Sequence, residues 1–224
     1  MVKFCSPLTN YGYILSFDLA KRISGYSLLD IRNHNVIAAG VIDTSKCKDD
    51  FIWSYFYNSV LDVISKCVKT INELDGCNLF ITKEKLPNQN GKFSTIETLQ
   101  GLAQAHAIFD LAVTHSGVDV YDYAGVHSVS VKAYFKLLTK LDKPQKEDIA
   151  NYIKNKYNSF DFDMYPLDVT DSIAVALTLI YKKWDADLSE EIKAKKKALK
   201  NLKLKHRINE VVSEIELLEG LKTK

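Results

Sequence analysis

Hydrophobic positions along the chain follow two different periods. Residues 12–19 (GYILSFDL) and 25–31 (GYSLLDI) are short apolar, aromatic-rich runs and 36–42 (VIAAGVI) is a third apolar run, which predicts three strands meandering antiparallel. From Phe51 the period lengthens: Ile52, Phe56, Val60, Val63, Ile64, Cys67, Ile71 and Leu74 recur at helical spacing, and Gly76 supplies a stop. Residues 78–85 (NLFITKEK) form a fourth strand, after which Ser94-Thr-Ile-Glu97 reads as a capping box opening a helix to about His115. A further strand is expected over 118–123 (VDVYDY), helices over 129–141 and 145–157, and a last core helix over 168–184 behind Pro166. Three meandering strands followed by strands alternating with helices require an α/β fold, a mixed sheet flanked by helices on both faces.

After Trp184 the chain becomes charge-rich, while Leu204, Ile208, Val211, Val212, Ile215 and Leu218 mark one apolar helical stripe. Residues 1–184 are therefore expected as one α/β domain and 185–224 as a basic helical extension. The net charge of +2 divides unevenly: residues 187–224 hold ten Lys/Arg against seven Asp/Glu, which leaves 20 against 21 for the rest. Lys195, Lys196, Lys197, Lys200, Lys203, Lys205 and Arg207 fall in thirteen residues without an acid, a run able to follow a phosphate backbone as well as to form a solvated helix face.

A 46% hydrophobic fraction with 26% charged residues excludes a disordered or fibrous chain. The longest apolar stretch, around 172–181, is interrupted well short of the roughly 18–20 residues of a membrane span, and the N-terminus lacks the apolar core of a signal peptide. A cytoplasmic location without membrane contact is the expectation. Cys5, Cys47, Cys67 and Cys77 form no CxxC pair, which points to free thiols rather than a zinc site.

Four acids stand out by placement. Asp18 follows the apolar YILSF run, Glu84 ends the apolar run of the fourth strand, and Asp168 and Asp171 lie one turn apart at the start of an otherwise apolar helix, projecting the same way. Alone, each has an ordinary reading as a cap or ion-pair partner. Neighbouring central strands in a mixed sheet, however, can bring Asp18 and Glu84 together, with the helix end closing over them. Four carboxylates in one cleft repel by several kcal/mol unless cations neutralise them, and hard oxygen ligands suit Mg²⁺ or Mn²⁺.

The segment FDLAKRISGYSLLD (17–30) resembles the first hairpin of RuvC-type Holliday-junction resolvases, with Asp18, Arg22, Gly25 and Tyr26 in register with that family's pattern. FITKEKLP (80–87) resembles its Glu-bearing strand, GLAQAHA (101–107) the following helix, DVTDSIAVAL (168–177) its closing acidic motif, and Val131-Lys132 and Lys143-Pro-Gln145 its lysine-bearing segments. Leu19-Ala20 stands where the family has Pro-Gly, His106 where it has Arg, and Lys146 interrupts a Gln-Val-Gln run. The likeness is to a divergent, phage-encoded member and spans about residues 12–184.

That resemblance implies an RNase H-like fold and a homodimer that nicks two strands of a four-way junction. It implies two Mg²⁺ ions (Mn²⁺ substituting) held by Asp18, Glu84, Asp168 and Asp171, with Lys132 and Lys143 facing the scissile phosphate. Arg22, Lys83, Lys85, Lys92, Phe93 and Lys146 are the expected DNA contacts. Whether a branch-migration motor joins branched DNA as a partner is not written in the sequence. Pro87 replaces an aromatic three positions after the strand's Glu, which predicts weakened base capture and relaxed sequence preference. Two other classes compete: an actin-like sugar-kinase or ATPase fold, disfavoured because the hairpin carries one glycine, Gly25, and no Gly-rich phosphate turn follows, and a catalytically silent junction-binding protein.

Overall fold

A computed structural model describes residues 11–86, 95–118, 125–158, 160, 162, 167–182, 193, 215–216 and 218–220. The expectations for Cys5, Pro87, Lys92, Phe93, Ser94, Pro166, most of strand 118–123 and nearly all of 185–224 lie outside the described residues. The chain divides into two units, Met1–Leu179 and Ile180–Lys224, and Asp18, Glu84, Lys146, Asp168 and Asp171 all belong to the first.

Strands β1 (Tyr13–Asp18), β2 (Ile23–Asp30), β3 (Val36–Asp43) and β4 (Leu79–Lys83) form a sheet of order β3-β2-β1-β4. The first three pair antiparallel as the meander requires, and β4 lies parallel to β1. Beyond β4, Val126 forms a parallel bridge to Glu84, donating to the Lys83 carbonyl at 3.0 Å and accepting from the Lys85 N–H at 2.9 Å.

Between β3 and β4 runs α1 (Ile52–Leu74), which buries the expected Ile52, Phe56, Val60, Val63, Ile64, Cys67 and Ile71. Its last turn closes on Gly76, which adopts φ +67° and donates to the Ile71 carbonyl at 2.9 Å; the left-handed backbone suits a residue without Cβ. Helix α2 (Ile96–His115) begins one residue later than the capping box implied. Thr95 is its N-cap and accepts from the Thr98 N–H at 3.2 Å, while Glu97 turns instead toward Lys21. Helix α3 (Ser128–Thr139) stops early at Lys140, which is left-handed at φ +59°, and α4 (Lys146–Lys156) is capped by Gln145 through a reciprocal bond with Asp148.

Alternation along β1 sends Tyr13, Leu15 and Phe17 to one face, where they join Leu79 and Ile81 of β4 and pack under α1 and α2, with the Phe17 and Phe109 rings 4.8 Å apart. The opposite face receives α5, the helix over residues 167–182. Its buried hydroxyls are satisfied within the helix: Thr170 donates to the Leu167 carbonyl, Ser172 to Val169 and Thr178 to Ala174, each at 2.7–2.8 Å. A helix with polar residues on its buried face can thus enter the interior without unpaired side-chain hydroxyls of its own.

Candidate active site: an acid cluster at the end of the sheet

The face opposite α1 and α2 is graded along the strands. Register places Ile14, Leu29 and Phe80 side by side, then Ser16, Ser27 and Thr82, then Asp18 and Gly25, with Glu84 following β4 in the same alternation. Large apolar side chains give way to small hydroxyls and then to acids, and the narrowing lets α5 descend onto the sheet. Contact is closest at Gly25: a Cβ there would collide with the Asp168 carbonyl oxygen. Only glycine tolerates that approach, which carries Asp168 and Asp171 over the strand ends bearing Asp18 and Glu84.

The electrostatics record the convergence. Burial first, then the charges of Glu84 and Asp171, hold the Asp18 carboxyl well above the usual carboxylate range against the opposing pull of Lys146. Glu84 is also raised, by burial and by Asp171, although Asp18, Lys146 and Lys132 act in the other direction. Burial together with Asp171 raises Asp168. Asp18 and Glu84 are close enough to hydrogen-bond through a shared proton. Such a cluster takes up protons or a cation because its own positive charge does not offset it.

Lys146 is a cation bonded to one of the acids. It occupies the first turn of α4, and its Nζ donates to Asp171 Oδ2 at 2.6 Å. Among the described residues, no group of three or more His, Cys, Asp or Glu is arranged to hold a metal ion. The donor chemistry nevertheless fits a hard divalent cation: all four side chains offer oxygen, they come from three elements, and their mutual repulsion raises the affinity of the group for positive charge.

In front of the acids lies an open cleft of about 550 Å³. Asp18 and residues 19–21, Glu84, Lys85, Lys146 and Asp168 line it. The α2 wall presents Thr98, Leu102 and His106, a stripe at i,i+4 spacing, with Glu97 beside it. His106, which stands where the resemblance has an arginine, is a cleft residue only 6% exposed, and burial, with the nearby charge of Lys83, lowers its pKa to about 4, leaving a neutral imidazole. The i,i+4 stripe Thr98–Leu102–His106 was readable in the sequence, but the segment in front of it gave no sign of a cleft.

The other expected residues part company. Lys85 lines the cleft, exposed. Lys132, exposed on α3, acts electrostatically on Glu84. Lys143 is exposed in the turn before α4, where its carbonyl accepts from the Gln145 side-chain amide; Lys146, expected only to meet DNA, bonds Asp171. Arg22 is exposed and reaches Asp49 at 3.5 Å. Lys83 does not fit the expectation of a DNA contact. It shares the face of Ile81, is 6% exposed, pairs with Asp110 of α2 and lies 5.3 Å from the Phe109 ring centroid. A strand alternates its side chains, so the neighbour of an outward-facing Glu84 had to turn into the α2 interface.

The order of strands and the helices on both faces define an α/β fold built on a mixed sheet. No family model matches the chain, and no curated protein sequence does. Among solved structures it has the fold of RuvC-type resolvases. It is similar to Thermus thermophilus RuvC (TM-score 0.54, 16% identity, covering 76% of this chain and 95% of that one) and to the same organism's RuvC in complex with Holliday junction substrate (TM-score 0.52, 17% identity, 76% and 94%). It is likewise similar to the yeast mitochondrial Holliday junction resolvase Ydc2 (TM-score 0.52, 12% identity, 84% and 83%).

Proposed function

We propose that this chain is a divalent-metal-dependent endonuclease that resolves four-way DNA junctions by paired symmetric nicks, acting as a homodimer. The observation that carries the reading is the convergence of Asp18 from β1, Glu84 just past β4, and Asp168 and Asp171 from α5, with burial and mutual repulsion raising the pKa of Asp18, Glu84 and Asp168.

Asp18 and Glu84 would hold Mg²⁺ or Mn²⁺ from the strand side and Asp168 and Asp171 from the helix side, in a two-ion site. Bound there, the ions supply an activated water and charge stabilisation at the departing oxygen. The chain's own residues do the rest. The narrow sheet end fixes the four carboxylates on rigid elements, so little reorganisation accompanies reaction. Lys132 and Lys85 place positive charge around the cleft for the backbone phosphates on either side of the cut bond, and Lys143 adds to it from the turn before α4. Hydrolysis leaves 5′-phosphate and 3′-hydroxyl ends. In this reading the 185–224 extension adds phosphate contacts through its acid-free basic run, and Arg22, Lys92 and Phe93 contribute to DNA binding. Without an aromatic at position 87, recognition rests on junction shape more than on base identity, and other branched DNA is cut as well.

Asp171→Asn tests the assignment, since it keeps the side-chain shape and removes one ligand charge. It should reduce junction cutting by more than about 100-fold, the usual cost of an essential charged group, while junction affinity persists; Asp161→Asn, at an acid that the sequence FDFDM (160–164) assigns to the loop leading to Pro166 and to no metal role, should stay within about threefold of wild type. Wild-type cutting rates in D171N would reject the site, and a large loss in D161N would show that other carboxylates carry it.

A further inference from the structure

The lysine at the acid cluster stands in a place that its own helix does not favour. Lys146 is the first residue of α4, where the positive end of the helix dipole disfavours a cation. The needs of that helix end are met by other residues: Asp148 accepts from the Gln145 N–H at 2.8 Å in a reciprocal cap, and Glu147 adds a second acid to the first turn. Lys146 leaves this turn and extends across to α5, where its Nζ meets the Asp171 carboxylate, a side chain only 15% exposed. Asp18 and Glu84 lie within electrostatic reach of the same ammonium. The Lys146 side chain itself is 66% exposed, so its tip can leave without disturbing the core.

Resting on the metal-dependent reading above, we propose that Lys146 is a tethered counter-cation that occupies the acid cluster until a divalent ion displaces it. Two features support displacement rather than permanent pairing. The ammonium bonds one acid, Asp171, and leaves the repulsion among Asp18, Glu84 and Asp171 in place for a divalent ion to relieve. The lysine stem is long, flexible and solvated, so exchange costs little more than the single Asp171 bond. The consequence is a built-in threshold for metal. Lys146 stays on Asp171 when metal is scarce and competes with the ion that replaces it. Once released, its ammonium lies at the lip of the cleft.

The experiment is calorimetric titration of the full-length protein with MnCl₂ in the absence of DNA, comparing wild type with Lys146→Gln, Lys146→Met and Lys146→Arg, alongside thermal unfolding. Removing the competitor should tighten Mn²⁺ binding roughly tenfold in K146Q and K146M, the equivalent of one charge-assisted hydrogen bond, whereas K146R stays near wild type. Metal-free K146Q should melt below wild type, and saturating Mn²⁺ should raise its melting temperature by more than it raises that of wild type. Unchanged or weaker Mn²⁺ affinity in both neutral variants overturns the proposal while leaving the metal site intact. Absence of Mn²⁺ binding to wild type overturns the metal reading and this inference with it.

Discussion

Asp18 shows what a site residue costs the fold that carries it. Its carboxyl pKa is raised in the folded protein, so the native state binds its proton more tightly than the unfolded chain does. A raised acid pKa contributes stability at low pH, and that contribution is lost as pH rises from the ordinary carboxylate value through the raised one. At pH 8 without metal, Asp18 therefore works against folding. Asp18→Asn should melt about 2–4 °C above metal-free wild type at pH 8, the shift expected for about 1 kcal/mol in a chain of this length, with the gap closing near pH 4. The same variant should gain nothing from Mg²⁺. Equal melting temperatures at both pH values would mean that Asp18 is adequately compensated by Lys146.

Gly25 makes the complementary case. It is the residue across from Asp18 in the β1–β2 register, and the Asp168 carbonyl occupies the space a side chain would need. The obstruction is backbone, which cannot rotate away. Gly25→Ala should destabilise the protein by about 1–3 kcal/mol, the range for overpacking, and should lower cutting further than the stability loss explains because α5 shifts away from the strands. Denaturant unfolding together with single-turnover cleavage at a temperature where the variant is fully folded separates the two effects.

At the scale of elements, strands and long helices were legible in the hydrophobic pattern because each buries one face. The apolar stripe of α1 and the antiparallel register of β1–β3 follow directly from spacings of 3.6 and 2. Helix ends were less legible: Thr95 rather than Ser94 caps α2, since two adjacent hydroxyl residues compete for one cap and the sequence alone does not rank them. The four acids were visible as residues in the right elements, whereas the choice between Lys143 and Lys146 depended on which way the first turn of α4 faces. The inward turn of Lys83 was implicit in strand alternation once Glu84 was assigned to the cleft.

Helix α2 also offers the surface on which a second copy is expected. Ile96 is 76% exposed, and Ala103 and Ala107 are exposed on the same helix, while Ala105, Phe109, Ala112 and Val113 turn into the core. Small residues on an exposed helical face permit close approach of a two-fold partner, the arrangement that paired nicks require. Ala103→Glu should convert a dimer at micromolar concentration into a monomer in sedimentation experiments, with little change in melting of the monomer fold. A wild-type protein that sediments as a monomer both alone and on a junction would contradict the homodimer.

For the whole molecule, the acids sit at one end of a sheet whose opposite end is apolar, and the basic side chains Lys21, Lys85 and Lys146 line the cleft that opens there. A polyanion is drawn to the rim by those lysines, while at the acids themselves it meets like charge that only bound cations relieve. Binding and cutting should therefore separate by ion. The direct measurement is incubation of the wild-type protein with a synthetic four-way junction in Mg²⁺ and, in parallel, in Ca²⁺, with both strand pairs end-labelled. The account predicts binding in both ions and, in Mg²⁺ alone, two nicks placed symmetrically across the branch point and sealable by ligase. Binding without nicks in Mg²⁺ and in Mn²⁺ alike, or equal nicking with the metal chelated, would contradict it.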